Sequence, residues 1–355
     1  TFTTGSSGKP KGVNRTHRIL AAQHERLAEA FPPREDDVDF CTFPVFALNN
    51  LALGVTTVIS PADRHLATTA TASPPLFDEL AQRDDRPRFR RILTGGAPVS
   101  DLQLRNWAAA WPRAEIHIAY GSSEAEPVAH ITAEERLKAG GRGYVAGKIV
   151  AGVRARIESI DRRARPREHT TKPVILSEAK DLPPRNGEDP SPSSRLRMTP
   201  PIGELLVAGE HVCRDYDRDP LATRQNKVTD AEGTVWHRMG DTGWFDDEGY
   251  FRIAGRVHST IWRDGVPVHA QLVEQVARGD DPRIVRVAAL AVGRRVAVVL
   301  ETKEEGVDAE LERDVRARLA NAGEPCDVVI VTRKPLPVDP RHNSKIDYDK
   351  LRARL

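Results

Sequence analysis

The chain has 355 residues, 39% hydrophobic and 29% charged, enough for two or three domains at roughly 100–200 residues each. Its 53 basic and 51 acidic residues leave a net charge of +2, which argues against a nucleic-acid partner, because such affinity needs a concentrated basic face. No stretch approaches the ~18 apolar residues of a membrane span, no charged-then-apolar leader opens the chain, and three scattered cysteines (Cys41, Cys213, Cys326) fit neither a disulfide framework nor a zinc cluster, so a cytoplasmic globular protein is expected.

Residues 1–144 alternate between short strand-like runs and amphipathic helices. Thr1–Thr4 reads as a strand, and Thr16–Phe31 as a helix with Ile19, Leu20, Leu27 and Phe31 on one face. Strand-like runs recur at Gly54–Ile59, Arg90–Leu93 and Glu115–Ala119, and Ser100 suits the N-cap of a helix through Trp107. This alternation predicts an α/β layered domain over residues 1–146 with a partly parallel sheet. From Gly147 the pattern turns to alternating strands, at Val153–Ile160, Glu204–Val212 and Val235–Phe251, the last folding at Asp246-Asp247-Glu248-Gly249. An antiparallel β subdomain is expected over 147–256. Residues 257–355 predict a small α+β domain: a helix at Gln271–Val276, a hairpin of Ile284–Val292 and Val296–Leu300, a helix at Asp308–Leu319 and a strand at Asp327–Val331.

One stretch interrupts this order. Residues 163–200 hold seven prolines and no aromatic residue, and their best apolar cluster, Val174-Ile175-Leu176, stands alone. Such a segment buries too little surface to offset its ordering entropy, so a disordered insertion between two strands is expected, with an ordered lid as the alternative.

The most informative string is Thr3-Thr4-Gly5-Ser6-Ser7-Gly8-Lys9-Pro10-Lys11-Gly12. Hydroxyls and glycines in alternation let the backbone approach polyphosphate oxygens, and a lysine adds charge. It is not a Walker A loop, which needs four residues between its glycines and a Ser or Thr after the lysine. Further along stand Gly95-Gly96-Ala97-Pro98, Tyr120-Gly121-Ser122-Ser123-Glu124, Gly240-Asp241-Thr242-Gly243, Gly255-Arg256 and Asn343-Ser344-Lys345-Ile346-Asp347.

In this order the strings resemble the adenylate-forming superfamily of acyl-CoA synthetases, peptide-synthetase adenylation domains and luciferases. Ser123 replaces the usual threonine of the Tyr-Gly-x-Thr-Glu motif, and Met239-Gly240 replaces Thr-Gly before the aspartate. The resemblance implies ATP and Mg2+ as cofactors and a mobile C-terminal lid. It implies that Thr4, Ser6, Ser7, Gly8 and Lys11 hold the β- and γ-phosphates, while Gly95, Gly96, Ala97 and Pro98 line the adenine side. Tyr120, Gly121, Ser122 and Ser123 would adjoin the base, with Tyr120 offering a flat face. Glu124 would ligate the metal. Asp241, an acceptor when ionised, suits the ribose hydroxyls, and Arg256 stands near the same sugar. Lys345 would be catalytic, placing a point charge beside the attacking carboxylate and the α-phosphate. His258, two residues after Arg256, is the candidate hinge residue, with a surface histidine as the plain alternative.

Three local strings, around Pro44-Val45-Phe46-Ala47, around Tyr120–Val128 and at Val338–Ile346, look like the β-lactone synthetases of bacterial long-chain olefin biosynthesis. A long-chain β-hydroxy acid substrate and enzyme partners from that pathway are then implied. A long-chain fatty acid–CoA ligase using CoA, or an acyl-AMP ligase, is the alternative; an inactive nucleotide-binding fragment is another, of a different class. The superfamily has a substantial portion ahead of the phosphate loop, including part of the acyl pocket, whereas this sequence begins inside that motif. A truncated α/β domain, part of a longer product, is therefore expected.

Overall fold

The computed structural model of the chain describes residues 2–3, 10–160, 174–176, 201–338 and 346–355. Thr4, Ser6, Ser7, Gly8 and Lys345 lie outside the described residues, as does the 163–200 stretch apart from Val174–Leu176.

One continuous 13-stranded sheet organises the larger part of the chain. Its first half is parallel, in the order Thr56–Val58, Val38–Cys41, Thr69–Ala72, Arg91–Gly95, Glu115–Ser122. Parallel neighbours need crossover connections. Helices Pro44–Ala52, Pro74–Ala81 and Asp101–Ala110 supply them, the first two opened by proline, whose missing N–H costs nothing at a helix start. Ser100 caps the third as its sequence predicts: its hydroxyl accepts from Gln103 N at 3.2 Å, and the Gln103 side chain accepts from Ser100 N at 2.9 Å. Below these helices, Phe77, Trp107 and Trp111 pack ring against ring, with Phe77 and Trp107 centroids 5.6 Å apart. The Trp107 indole N–H is satisfied by Asp78 at 2.9 Å, so the buried ring leaves no orphan donor.

After Ser122 the chain reverses, and every later neighbour in this sheet is antiparallel. Ala125–Thr132 pairs with Glu115–Ser122, Tyr144–Ile149 follows, and Phe251–Arg256, Val235–Phe245, Gly203–Ala208, Arg154–Glu158 and Val174–Leu176 continue the row. The strand Tyr144–Ile149 runs through the 146/147 boundary expected from composition, because hydrogen bonding passes unbroken from the parallel to the antiparallel half. Within the 163–200 stretch, Val174–Leu176 forms the edge strand of this row. At the other end of the chain, Phe2–Thr3 pairs only with Lys11–Gly12, as a separate two-stranded ribbon and not as a strand of the main sheet.

The C-terminal part matches its α+β expectation. Arg286–Val292 and Arg295–Glu301 form the hairpin, turning at Gly293, whose φ of 61° suits glycine; Val328–Thr332 adds in parallel. Helices Ala270–Arg278 and Asp308–Asn321 bury Val273, Ala277, Leu311, Val315 and Leu319 against that sheet. Polar contacts seat this part on the large sheet. Gln275 Oε1 accepts from Gly143 N at 2.8 Å, Thr242 Oγ1 meets His269 Nδ1 at 3.0 Å, and Arg142 pairs with Glu324 at 2.8 Å. Among the described residues no helix is long and apolar enough to cross a membrane.

Candidate active site

The candidate site forms where the sheet changes from parallel to antiparallel. Strands Arg91–Gly95 and Glu115–Ser122 run side by side, with Gly95 opposite Ala119. A Cβ on Gly95 would stand 2.6 Å from Ala119 O, so only glycine fits there; Gly96 follows with φ 76° and is exposed with Pro98. Next to them Ser123 and Glu124 make the turn of a hairpin in which Ser122 pairs with Ala125. A Cβ on Gly121 would come within 2.8 Å of Ala125 O. The glycines of both motifs thus permit close strand approach at the strand ends, where open α/β sheets place their ligands. The Ser122 hydroxyl is buried without a partner, a donor and acceptor left over at the hairpin tip.

Three residues meet at one end of this hairpin. Tyr120 donates its hydroxyl to Asp241 Oδ2 at 2.7 Å, and Arg256 Nη1 donates to Asp241 Oδ1 at 2.7 Å. The antiparallel register of Val235–Phe245 with Phe251–Arg256 sets Asp241 opposite Arg256, so the pair follows directly from strand alignment. Burial, and then the charge of Asp241, push the Tyr120 phenol well above its ordinary value, which keeps it a donor. Asp241 in turn raises the Arg256 guanidinium. The Tyr120 ring packs 5.7 Å from Phe251. Each carboxylate oxygen of Asp241 holds one donor and keeps a further lone pair for a ligand hydroxyl.

Glu124 occupies the other end, with a different set of neighbours. Tyr216 donates its hydroxyl to Glu124 Oε1 at 2.7 Å, and Cys213 N donates to Glu124 O at 2.8 Å. Lys227 donates to Cys213 O, and its Nζ lies 5.4 Å from the centroid of the Tyr216 ring. Lys11 Nζ lies 5.5 Å from the same centroid. Burial alone would raise the Glu124 carboxyl, yet it sits below its ordinary value. The neighbouring His237 lowers it most, followed by the Tyr216 hydroxyl, its own backbone and the Lys227 ammonium; buried His237 is itself pushed down to about 3. Arg15 anchors the turn, reaching Ser123 O at 2.7 Å and Gln23 Oε1 at 3.0 Å.

The start of the chain is tied to this end. Val13 bridges to Tyr216, and Asp217 N donates to Gly12 O at 2.8 Å, fixing the residues that follow the phosphate-loop motif beside Glu124. The structure therefore brings together Lys11, Glu124, Tyr120, Gly121, Ser122, Ser123, Asp241 and Arg256, with Gly95–Pro98 alongside. His258 lies apart, exposed on the short turn Val257–Ser259 just after Arg256. Sequence reading missed Arg15, Tyr216, Lys227 and His237. None sits in a periodic pattern or a repeated glycine string, and the only local hint was Arg15, placed shortly after the motif that ends at Gly12.

The AMP-binding enzyme family matches residues 1–172. The olefin beta-lactone synthetase of Xanthomonas campestris pv. campestris is 31% identical over 99% of this chain and 65% of its own length, and that of Stenotrophomonas maltophilia is 30% identical over the same shares. The chain thus spans just under two thirds of these curated relatives. In fold it resembles ATP-bound MatB from Rhodopseudomonas palustris (TM-score 0.74, 21% identity, 99% of this chain and 67% of that one). It also resembles O-succinylbenzoate coenzyme A synthetase of Bacillus subtilis in complex with ATP and magnesium ion (TM-score 0.71, 21% identity, 99% and 69%). The family model over residues 1–172, the two relatives and the shared fold all show similarity to AMP-binding enzymes.

Proposed function

We propose that the protein activates a carboxylic acid with ATP, forming an acyl adenylate and releasing diphosphate. The observation that carries this reading is the division of one hairpin into two ends: a Tyr120–Asp241–Arg256 set suited to a sugar, and a Glu124 carboxylate beside two ammonium groups suited to phosphates and a cation. A carboxylate attacking the α-phosphorus brings negative charge to negative charge, so catalysis rests on positioning and neutralisation. Lys11, with Thr4, Ser6, Ser7 and Gly8 of the same motif, would hold the β- and γ-phosphates. Magnesium bound there would supply charge to the phosphate oxygens. Among the described residues no three His, Cys, Asp or Glu side chains gather as a metal cluster, so Glu124 would share the ion with phosphate and water. Lys345 would neutralise the α-phosphate and the incoming carboxylate. Acid-dependent exchange of labelled diphosphate into ATP tests the reading; a folded protein that shows no exchange with any long-chain acid would leave it without support.

A finer reading is that the substrate is a long-chain β-hydroxy acid and the product a β-lactone. The two olefin beta-lactone synthetase relatives support it. Once the acyl adenylate exists, the substrate's own β-hydroxyl oxygen attacks the acyl carbonyl, the C–O bond to AMP breaks, and the hydroxyl proton passes to solvent. AMP leaves and the four-membered ring closes without a thiol. Lactone formed with ATP, magnesium and no CoA is the expected result. Strict dependence on CoA would instead favour an acyl-CoA ligase. We further propose a lid over 257–355 hinged near His258 and an insertion at 163–200. We place the protein in the cytoplasm, where ATP is abundant and the free thiols of Cys41, Cys213 and Cys326 persist, and assign it partners that supply the hydroxy acid or consume the lactone.

A further inference from the structure

Lys227 is the feature of this site that none of the motifs explains. It is largely enclosed, its pKa is lowered to about 8 chiefly by burial, and its ammonium carries three donors. Among the described residues its one hydrogen bond goes to a neutral acceptor, Cys213 O, and no carboxylate lies within ion-pair distance. The nearest structural counterpart is Lys11, also without an ion pair among the described residues, and both ammonium groups stand about equally far from the Tyr216 ring, at 5.4 and 5.5 Å. Enclosing a cation beyond ion-pair distance of any carboxylate is unfavourable, and a cation–π contact offsets only part of that cost. The arrangement is thus short of negative charge. Glu124 attracts the Lys227 ammonium but makes no ion pair with it; it is bonded to the Tyr216 hydroxyl and stands at the position proposed for the metal.

We propose that Lys227 is a second phosphate-binding cation, which with Lys11 flanks Tyr216 and holds the terminal phosphates of a nucleoside triphosphate beside Glu124. The inference rests on the ATP reading above and deepens it. Lys11 approaches from the strand pair at the start of the chain, whereas Lys227 approaches from the strand Lys227–Thr229 at the rim of the antiparallel half. The Val13–Tyr216 bridge ties the Lys11 segment to the Tyr216 loop, the Lys227 ammonium bonds to Cys213 O of that same loop, and a triphosphate bound between the two cations would bind their segments to each other. Tyr216 has a spacing role here: its ring keeps the two ammonium groups apart while its hydroxyl orients Glu124.

The test is equilibrium binding by calorimetry on the full-length protein, with magnesium–ATP and with AMP, and without any acid. Lys227→Gln keeps a donor for Cys213 O but removes the charge; Lys227→Arg keeps the charge. The expected result is that Lys227→Gln weakens magnesium–ATP by about 10-fold or more while AMP changes less than about 2-fold, and that Lys227→Arg stays near wild type for both. Equal losses for ATP and AMP, or unchanged ATP affinity in Lys227→Gln, would overturn the proposal. If Lys227→Gln does not fold, Lys227→Met and Lys227→Arg decide by the same ATP-to-AMP ratio. A wild-type protein that binds magnesium–ATP normally yet catalyses no diphosphate exchange would remove the adenylation reading and leave this one standing. A wild type that binds no ATP would remove both.

Discussion

The two ends of the Tyr120–Glu124 hairpin differ in how their charges are settled. At the Asp241 end every charge is paired within the protein: Arg256 and Tyr120 each occupy one oxygen, and strand register holds them there. At the Glu124 end, positive charge exceeds what the described residues neutralise, with Lys11 and Lys227 lacking ion pairs. A paired end is rigid and recognises by shape and hydrogen bonds. On the proposed reading the unbalanced end would receive an anion, and its binding would add to the order of the site. This difference fits a nucleotide whose sugar is neutral and whose other end carries nearly all the charge.

Several changes would break or sharpen that contrast. Lys345→Ala has the largest expected effect: acid-dependent diphosphate exchange should fall by about 10³-fold while ATP affinity stays within a few-fold. Normal exchange in that variant would remove Lys345 from the chemical step. Next, Asp241→Asn should weaken AMP and ATP together, by about 10-fold, and lower unfolding stability by roughly 2 kcal/mol, because Arg256 loses its counter-charge. Urea unfolding and nucleotide titration check both; a loss confined to ATP would contradict the division into two ends. Tyr216→Phe should act only at the other end, raising the KM for magnesium–ATP a few-fold through the lost hydroxyl bond to Glu124, with AMP affinity unchanged.

The smallest expected effect lies outside the site and is a reference for it. Glu274 is buried in the C-terminal part, receives bonds from Tyr348 Oη at 2.5 Å and Ala289 N at 2.8 Å, and makes no ion pair among the described residues. Burial pushes its carboxyl up to about 7, above its ordinary 4.5. The unfolded chain therefore ionises this group first. Its contribution to stability is greatest at low pH and declines as pH rises from about 4.5 through 7. Glu274→Gln should flatten the pH dependence of unfolding in that window, measured as the difference from wild type. A difference that stays constant with pH would show that Glu274 is already ionised in the fold. Its neutral tendency contrasts with Glu124, which nearby donors and a lysine keep charged.

Much of the architecture was legible in the chain itself. The expected switch to alternating strands at about residue 147 comes later than the change from parallel to antiparallel pairing, which falls at the Ser122–Ala125 hairpin; crossover helices are needed only for the parallel neighbours before it. Ser100 as a cap and the Gly293 hairpin were readable because caps and turns are local. Other elements were not. Thr69–Ala72 is a fully buried central strand made of threonine and alanine, so it lacks the bulky apolar signature of a strand, and Pro74–Ala81 is too short for a clear period. The helix His17–Ala30 buries Ala22, Gln23 and Leu27 and leaves Ile19 and Leu20 only partly covered, because the polar Gln23 is held inward by Arg15.

For the candidate site, the order and spacing of glycines, hydroxyls, Tyr120, Glu124, Asp241 and Arg256 were enough to suggest a resemblance and to propose the two ends of a nucleotide site. Those residues lie in strings whose backbone demands, close strand approach and tight turns, are written in adjacent positions. What only the tertiary structure decided is the company they keep. Tyr216 meets Glu124 across 92 residues and Tyr120 meets Asp241 across 121. Lys227 and Lys11 stand over one ring although one lies on a strand of the large sheet and the other in the separate ribbon at the start of the chain. Contacts of that span depend on strand order and register, and no local pattern encodes them. The physical reason is that a residue's propensity is a property of its neighbours in sequence, whereas an unbalanced charge is a property of its neighbours in space.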